Sequence, residues 1–367
     1  MNWEQLYQWT VEVSEHLPSL NRYQQQNVAL FSSGVVLSGS SQLKRISAGL
    51  WGMGKWESMR RRLQRWVGNE GIGMHAFFSD WTRWVMAGFK DYEQVYLLVD
   101  ETKIGERLAA MVVGVAYEKR CLPLAWRCYR ANDATAYPAE GQVAVIRQLL
   151  EAIQVGMPSG LKVCVLADRG IGCSPALMRA VEHLGWQYLF RVTKQSKLVA
   201  DDGQEYTIYD QVQPGEEWAM SGKMFKQRGQ VPAHARVLWA TGKPEPWALV
   251  TNDPTLSGYE YAYRNWQEQA FRDLKSAGWQ WQASTLLDPA RAERLLILLV
   301  IAYTWVISLA VQAIRTQRPV PSKRTKQGTR ARVWSLFREG LSFFRQCLGS
   351  RQPLVFPFVF IPDTRFG

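Results

Sequence analysis

Three carboxylates in this chain stand where they could act together. Asp100 closes the apolar run of VYLLVDETK, Asp168 closes that of LKVCVLADRG, and Glu268 sits within YAYRNWQEQAFRDLK. An all-oxygen set of this kind suits hard divalent cations, because Mg²⁺ takes a few carboxylates, waters and phosphate oxygens. Two such ions roughly 4 Å apart can activate a water or sugar hydroxyl on one side of a phosphodiester and stabilise the departing oxygen on the other. Taken singly, each aspartate also reads as a turn former at the end of a strand.

The glutamate has polar company. Tyr261, Arg264, Glu268 and Lys275 lie at offsets of three, seven and fourteen residues, which on one α-helix confines them to an arc of about 60°. The spacing predicts a helix over residues 261–275 that turns a hydroxyl, two cations and a carboxylate outward together. The plain alternative is a solvated face laced by i,i+4 ion pairs such as Arg264 with Glu268. The motif alone does not choose between them.

The chain's 367 residues suffice for one large core with one or two satellites. Its 44 Lys plus Arg against 32 Asp plus Glu leave a net charge of +12, which points to a polyanionic partner, either nucleic acid or an anionic membrane surface. The excess falls in two patches. Residues 41–66 hold seven basic side chains, among them Arg60, Arg61, Arg62 and Arg65, against Glu57 alone, and residues 313–351 hold ten against Glu339. Five cysteines, odd in number and without a CxxC pair, suggest neither a disulfide framework nor a zinc site and fit a reducing, cytoplasmic setting. The amphipathic start MNWEQLYQWTVEV lacks the pattern of a secretory signal. The apolar residues 295–311 are short for a membrane span and are interrupted by Tyr303, Thr304 and Ser308, so they read as a buried core helix. The histidines are scattered outside HExxH or GxSxG contexts, which leaves Ser or Cys nucleophiles unsupported.

Residues 1–90 read as a helical DNA-binding domain. Within it, helices over 42–49 and 55–67, separated by WGMG, have the spacing of a helix-turn-helix. The second carries the four arginines, which could meet phosphates or base edges or form a solvated basic face. Over residues 91–193, VYLLVDETK, AAMVVGVAYEK and CLPLAWRCYR read as an antiparallel meander with a turn near Lys119. A helix over 138–155, the strand LKVCVLADRG, a helix over 174–184 and the strand WQYLFRVT follow. The crossover helix makes LKVCVLADRG parallel to its sheet neighbours. If that strand lies beside the first, Asp100 and Asp168 emerge together at adjacent carboxyl ends, where α/β sheets place their sites. Residues 194–256 read as a β-rich insertion, and 257–312 return to helix, including a long apolar one over 289–312. Residues 313–367 form a basic C-terminal region with a polar linker over 315–332 and a helix over 331–347, whose Val333, Leu336, Phe337, Leu341 and Phe344 suit either a dimer surface or packing within the chain.

With these positions read, the chain resembles the cut-and-paste DDE transposases of bacterial insertion sequences, specifically the group with a Y-x2-R-x3-E-x6-K signature. Tyr261, Arg264, Glu268 and Lys275 fit that spacing without a gap, and Asp100 in VDET and Asp168 in ADRG fall in the two strand-end contexts in order. The resemblance spans roughly residues 90–312. It implies an α/β fold, a ribonuclease H-like mixed sheet flanked by helices with a β-rich insertion before the glutamate helix, a helical N-terminal DNA-binding domain and a basic helical C-terminal tail. It further implies that Asp100, Asp168 and Glu268 hold two Mg²⁺ (or Mn²⁺) ions and that Tyr261, Arg264 and Lys275 contact phosphates at the transposon end. Trp247, in PEPWALVT, would stack on a base flipped from the duplex, although a strand tryptophan in a chain with 17 of them also serves as core. Family members often carry a second aromatic directly after the arginine, where this chain has Asn265.

The implied reaction is metal-dependent hydrolysis of a DNA strand at the element's end, then attack by the freed 3′-hydroxyl, first forming a hairpin and finally joining target DNA. The implied partners are double-stranded DNA with terminal inverted repeats, target DNA and a second copy in a paired-end homodimer, with no membrane. Two other readings stay open: a domesticated DNA-binding protein without catalysis, and a nuclease of the same fold that cuts without joining.

Overall fold

The computed structural model describes residues 1–133, 137–225, 229–316, 321–324, 330–350 and 352–361. Five helices come first: α1 (Trp3–His16), α2 (Arg22–Ser38), α3 (Leu43–Gly49), α4 (Trp56–Val67) and α5 (Met74–Ala87). The first two start where Asn2 and Asn21 form capping boxes with Gln5 and Gln24, satisfying amides that the helix leaves unpaired. The expected pair of short helices around WGMG is present as α3 and α4.

Three antiparallel strands follow, β1 (Gln94–Ile104), β2 (Leu108–Tyr117) and β3 (Arg120–Arg130). Nearly every residue of β2 is buried, as expected of a strand covered on both faces. Glu118 and Lys119, with φ of 42° and 61°, make the tight turn into β3. Helix α6 (Gly141–Gly156) then crosses over to β4 (Lys162–Ala167), which lies parallel to β1, and α7 (Arg169–Gly172) and α8 (Pro175–His183) lead to β5 (Gln187–Arg191), parallel to β4. Strands β6 (Lys197–Val199), β7 (Glu205–Thr207), β8 (Glu217–Met224), β9 (Val231–Leu238) and β10 (Trp247–Thr251) complete one ten-stranded sheet in the order β3-β2-β1-β4-β5-β10-β9-β8-β6-β7. Because β10 pairs antiparallel with β5, the residues after β5 prolong the central sheet instead of forming a detached layer.

A 3-10 turn, Tyr259–Arg264, leads into α9 (Asn265–Leu274), and α10 (Pro289–Arg315) follows. Helix α10 is long and apolar enough to cross a membrane, yet its whole apolar window is buried inside the fold. Trp305 stacks on Trp9 of α1 at 4.7 Å and on Phe356 of the C-terminal tail at 5.6 Å, so the N-terminal helices share one hydrophobic core with the sheet. Strands β11 (Ser322–Arg324) and β12 (Arg330–Arg332) pair antiparallel. The expected polar linker over 315–332 thus includes a small hairpin; its residues 317–320 and 325–329 lie outside the described residues.

Helix α11 (Leu336–Gly349) settles the two readings of the C-terminal helix. Phe337 meets Trp279 edge-on at 4.9 Å and Phe344 meets Trp305 at 5.5 Å, so the face offered as a dimer surface is consumed by packing on α10. Val333 is exposed but precedes the helix. The approach is close enough that a Cβ on Gly340 would lie 1.8 Å from the Val306 carbonyl oxygen. Gly340→Ala is accordingly expected to cost about 1–3 kcal/mol through overpacking, whereas Gly349→Ala, which meets nothing within 4 Å, should stay within about 0.5 kcal/mol. Chemical denaturation of both variants checks this, and equal midpoints would contradict the packing.

Candidate active site

The parallel register of β1 and β4 ends with Val99 opposite Ala167. Asp100 and Asp168 are the next residue on each strand, so the two carboxylates leave adjacent strands side by side. The expectation differs in one detail: β1 does not stop at Asp100 but runs on to Ile104, paired with β2. Each aspartate turns one oxygen to its own backbone. Asp100 Oδ1 accepts from the Glu101 amide at 2.9 Å, and Asp168 Oδ1 caps α7 by accepting from the Gly170 and Ile171 amides at 2.9 and 3.2 Å. Each Oδ2 is left facing outward.

Both outward oxygens meet Arg264. Its Nη2 donates to Asp100 Oδ2 at 3.0 Å and to Asp168 Oδ2 at 3.5 Å, while Nη1 donates to Glu268 Oε1 at 2.7 Å. One guanidinium thus gathers a carboxylate from each of three elements. Burial works against the Arg264 cation, but Asp100, Tyr261, Asp168 and Glu268 outweigh it and raise its pKa. Burial also pushes Asp100 up to about 6, against the pull of Arg264 and with the push of Asp168.

The other motif residues are placed differently from the expected single face. The segment is not one α-helix: the 3-10 turn winds at about 120° per residue, so Tyr261 leaves the arc and is buried. Its ring meets Trp247 edge-on at 5.3 Å, and burial raises its hydroxyl to about 12. Lys275 lies just past the end of α9, and its Nζ donates to Thr102 Oγ1. Burial lowers the Lys275 pKa, partly opposed by Asp100. Trp247 opens β10 beyond the end of its pairing with β5, on the same edge as the aspartates and half-buried there. Only Arg264 and Glu268 keep the i,i+4 relation that the bland reading foresaw, and their ion pair belongs to the acidic centre.

Of the four arginines on α4, Arg61 and Arg65 are exposed. Arg60 lies over the Trp56 ring at 5.4 Å. Arg62 is turned inward, donating to Asn27 Oδ1 at 2.5 Å, and burial followed by the Arg65 charge lowers its pKa; it ties α4 to α2 instead of presenting a free cation. Two residues that shape the centre escaped the sequence reading. Thr102 shares a strand face with Asp100 by simple alternation, a signal that was available. Gln267 is fully buried and donates to the Val112 carbonyl at 3.0 Å, fixing α9 against β2; nothing in its sequence setting marks it.

The donors are all oxygen, which suits a hard divalent cation. The three acids do not close into a single-ion cluster with ligand atoms all within 4.8 Å of one another, because the Arg264 guanidinium spans them.

The strand order β3-β2-β1-β4-β5, in a large mixed sheet flanked by helices, with acids at the ends of paired strands and on a following helix, fits the expected ribonuclease H-like core. A profile of the family described as Transposase DDE domain matches residues 80–305, and the chain belongs to that family. No curated protein matches it. Among solved structures, the C-terminal lobe of a budding yeast Argonaute is 10% identical over 78% of this chain and 62% of that one, with a TM-score of 0.21. Kluyveromyces polysporus Argonaute with a guide RNA is 10% identical over 67% and 33%, with a TM-score of 0.19. The chain spans less than two thirds of either, and likeness at that level carries no argument.

Metal ligation needs the ionised carboxylate. Mn²⁺ binding, followed by calorimetry, is expected to weaken as pH falls through about 6, where Asp100 takes up a proton. An affinity unchanged across that range would remove Asp100 from the ligand set.

Proposed function

We propose that the chain is an active DNA transposase that cleaves transposon ends and joins the freed 3′-hydroxyl to target DNA. The observation that carries this reading is the convergence of Asp100, Asp168 and Glu268 on one point, by way of Arg264, in a chain of the transposase DDE family. The acids would hold two Mg²⁺ or Mn²⁺ ions, which when bound supply activation of the attacking hydroxyl and charge stabilisation of the leaving oxygen.

The rest falls to side chains. Arg264, already directed into the acidic centre, can pass from carboxylates to a phosphate oxygen without leaving it. Lys275 stands beside Thr102, where its ammonium can meet the strand that approaches Asp100. Trp247 presents an indole at the sheet edge, propped by Tyr261, in position to stack on an unpaired base and support a hairpin intermediate. Glu245, just before it, is bonded by Arg191 at 2.6 Å, which anchors the start of β10. Helices α1 to α5 supply the DNA-binding part, and a second copy would bring the paired end.

The test is incubation of the protein with Mg²⁺ or Mn²⁺ and duplex DNA bearing the terminal inverted repeats found beside its gene. Cut ends, hairpins and joined products are expected; cutting without joined products would identify a nuclease, and no cutting at all a DNA-binding protein. Asp168→Asn should abolish cleavage while still shifting the DNA in a gel, and undiminished cutting by that variant would sink the metal assignment. Trp247→Ala is expected to spare nicking and reduce hairpins, whereas equal loss of both steps would mean that the indole only props Tyr261.

A further inference from the structure

We propose that the cleft walled by α3, α4 and the first turn of α10 is a second DNA-backbone site, in which Lys44 and Arg291 join Arg60, Arg61 and Arg65 to hold the duplex in fixed register to the acids. This deepens the transposase reading and rests on it.

Two adjoining hollows, of about 580 and 690 Å³, share Gln64 and Arg291 as walls. Together they are lined by Lys44, Arg60, Arg61, Arg65 and Arg291, and no acidic side chain is among the described residues lining either. Arginines with structural duties in this chain have acceptors: Arg120 has Asp273 at 2.8 Å, Arg294 has the Val67 carbonyl at 2.6 Å, and Arg264 has its three carboxylates. Among the described residues, none of the five cations of the cleft is in an ion pair, whereas Arg120, Arg191 and Arg264 each are. Five uncompensated cations in one recess repel one another, and a row of phosphates is the partner that relieves this.

The cleft is also built into the catalytic frame. Arg294 fastens the last turn of α4 to α10. The Ser41 amide and hydroxyl, just before α3, donate to the Trp279 and Gln280 carbonyls at 2.6 and 2.7 Å, and the Gln280 amide returns to the Lys275 carbonyl at 2.7 Å. The cleft wall that begins at Ala283 therefore continues the turn that ends at Lys275. Gln282 approaches Gly105, with its carbonyl oxygen 4.0 Å from where a Cβ would stand, and Gly105 turns directly after Ile104, the last residue of the strand that carries Asp100. The strand from Asp100 to Ile104 spans about 13 Å, less than half a turn of duplex. One DNA end can lie in the acidic centre while its backbone crosses the cleft.

The test uses the full chain, a duplex carrying the inverted repeat, and fluorescence anisotropy over a range of salt. Replacing Lys44 and Arg291 together by Gln should weaken binding by roughly tenfold per lost contact near 0.1 M salt and flatten the slope of log K against log salt by about one unit each. The corresponding Arg291→Lys variant should keep the slope, and a duplex trimmed to the outermost few base pairs should bind both proteins alike. Unchanged affinity and slope in a double variant with wild-type thermal stability would overturn the cleft while leaving the transposase reading intact. If the wild-type chain binds no duplex, that reading falls and takes the cleft with it; Mn²⁺ titration, which touches neither residue, reports separately on the acids.

Discussion

Everything in this structure that bears on function depends on holding three carboxylates of like charge near one point. Like charges gathered in a partly buried site repel one another, and this raises the cost of keeping all three ionised. The chain meets this with Arg264, which bonds one oxygen of each acid. The arrangement works only if the strands are in register. A slip of one residue between β1 and β4 would turn one aspartate to the opposite face of the sheet, and the guanidinium could no longer reach both. The register ending at Val99 and Ala167 is therefore the constraint from which the site follows.

The helix that carries Glu268 is held to the same accuracy by contacts without chemistry of their own. Gln267 locks α9 to β2, and Lys275 reaches back to Thr102 on β1. Arg120 on β3 and Asp273 on α9 form a buried ion pair at 2.8 Å, although burial raises the Asp273 pKa to about 6. The acidic centre thus draws on four strands and one helix, and the bonds from Ser41 and Arg294 bring the basic N-terminal helices into the same frame.

Much of this was legible from the residues. Apolar runs ending in aspartate gave the two strand ends, the crossover pattern gave the parallel pairing, and the polar spacing of residues 261–275 singled out Glu268. The geometry of that last segment was not legible, because a 3-10 turn and an α-helix share the same residue preferences over six positions. Tyr261 consequently left the face it was assigned to. The bonding of Arg264 to Asp100 and Asp168 depends on contacts between residues more than 90 positions apart, which spacing cannot encode. The apolar stripe of the last helix likewise told that a face would be buried, but not that α10 would bury it.

If Asp100, Asp168 and Glu268 form one metal-binding centre, a crystal structure of the protein with Mn²⁺ and a pre-cut inverted-repeat end, read by anomalous scattering, will show manganese between these three carboxylates. Manganese bound only elsewhere, for instance at the Glu12, Glu15 and His16 group on α1, would contradict it.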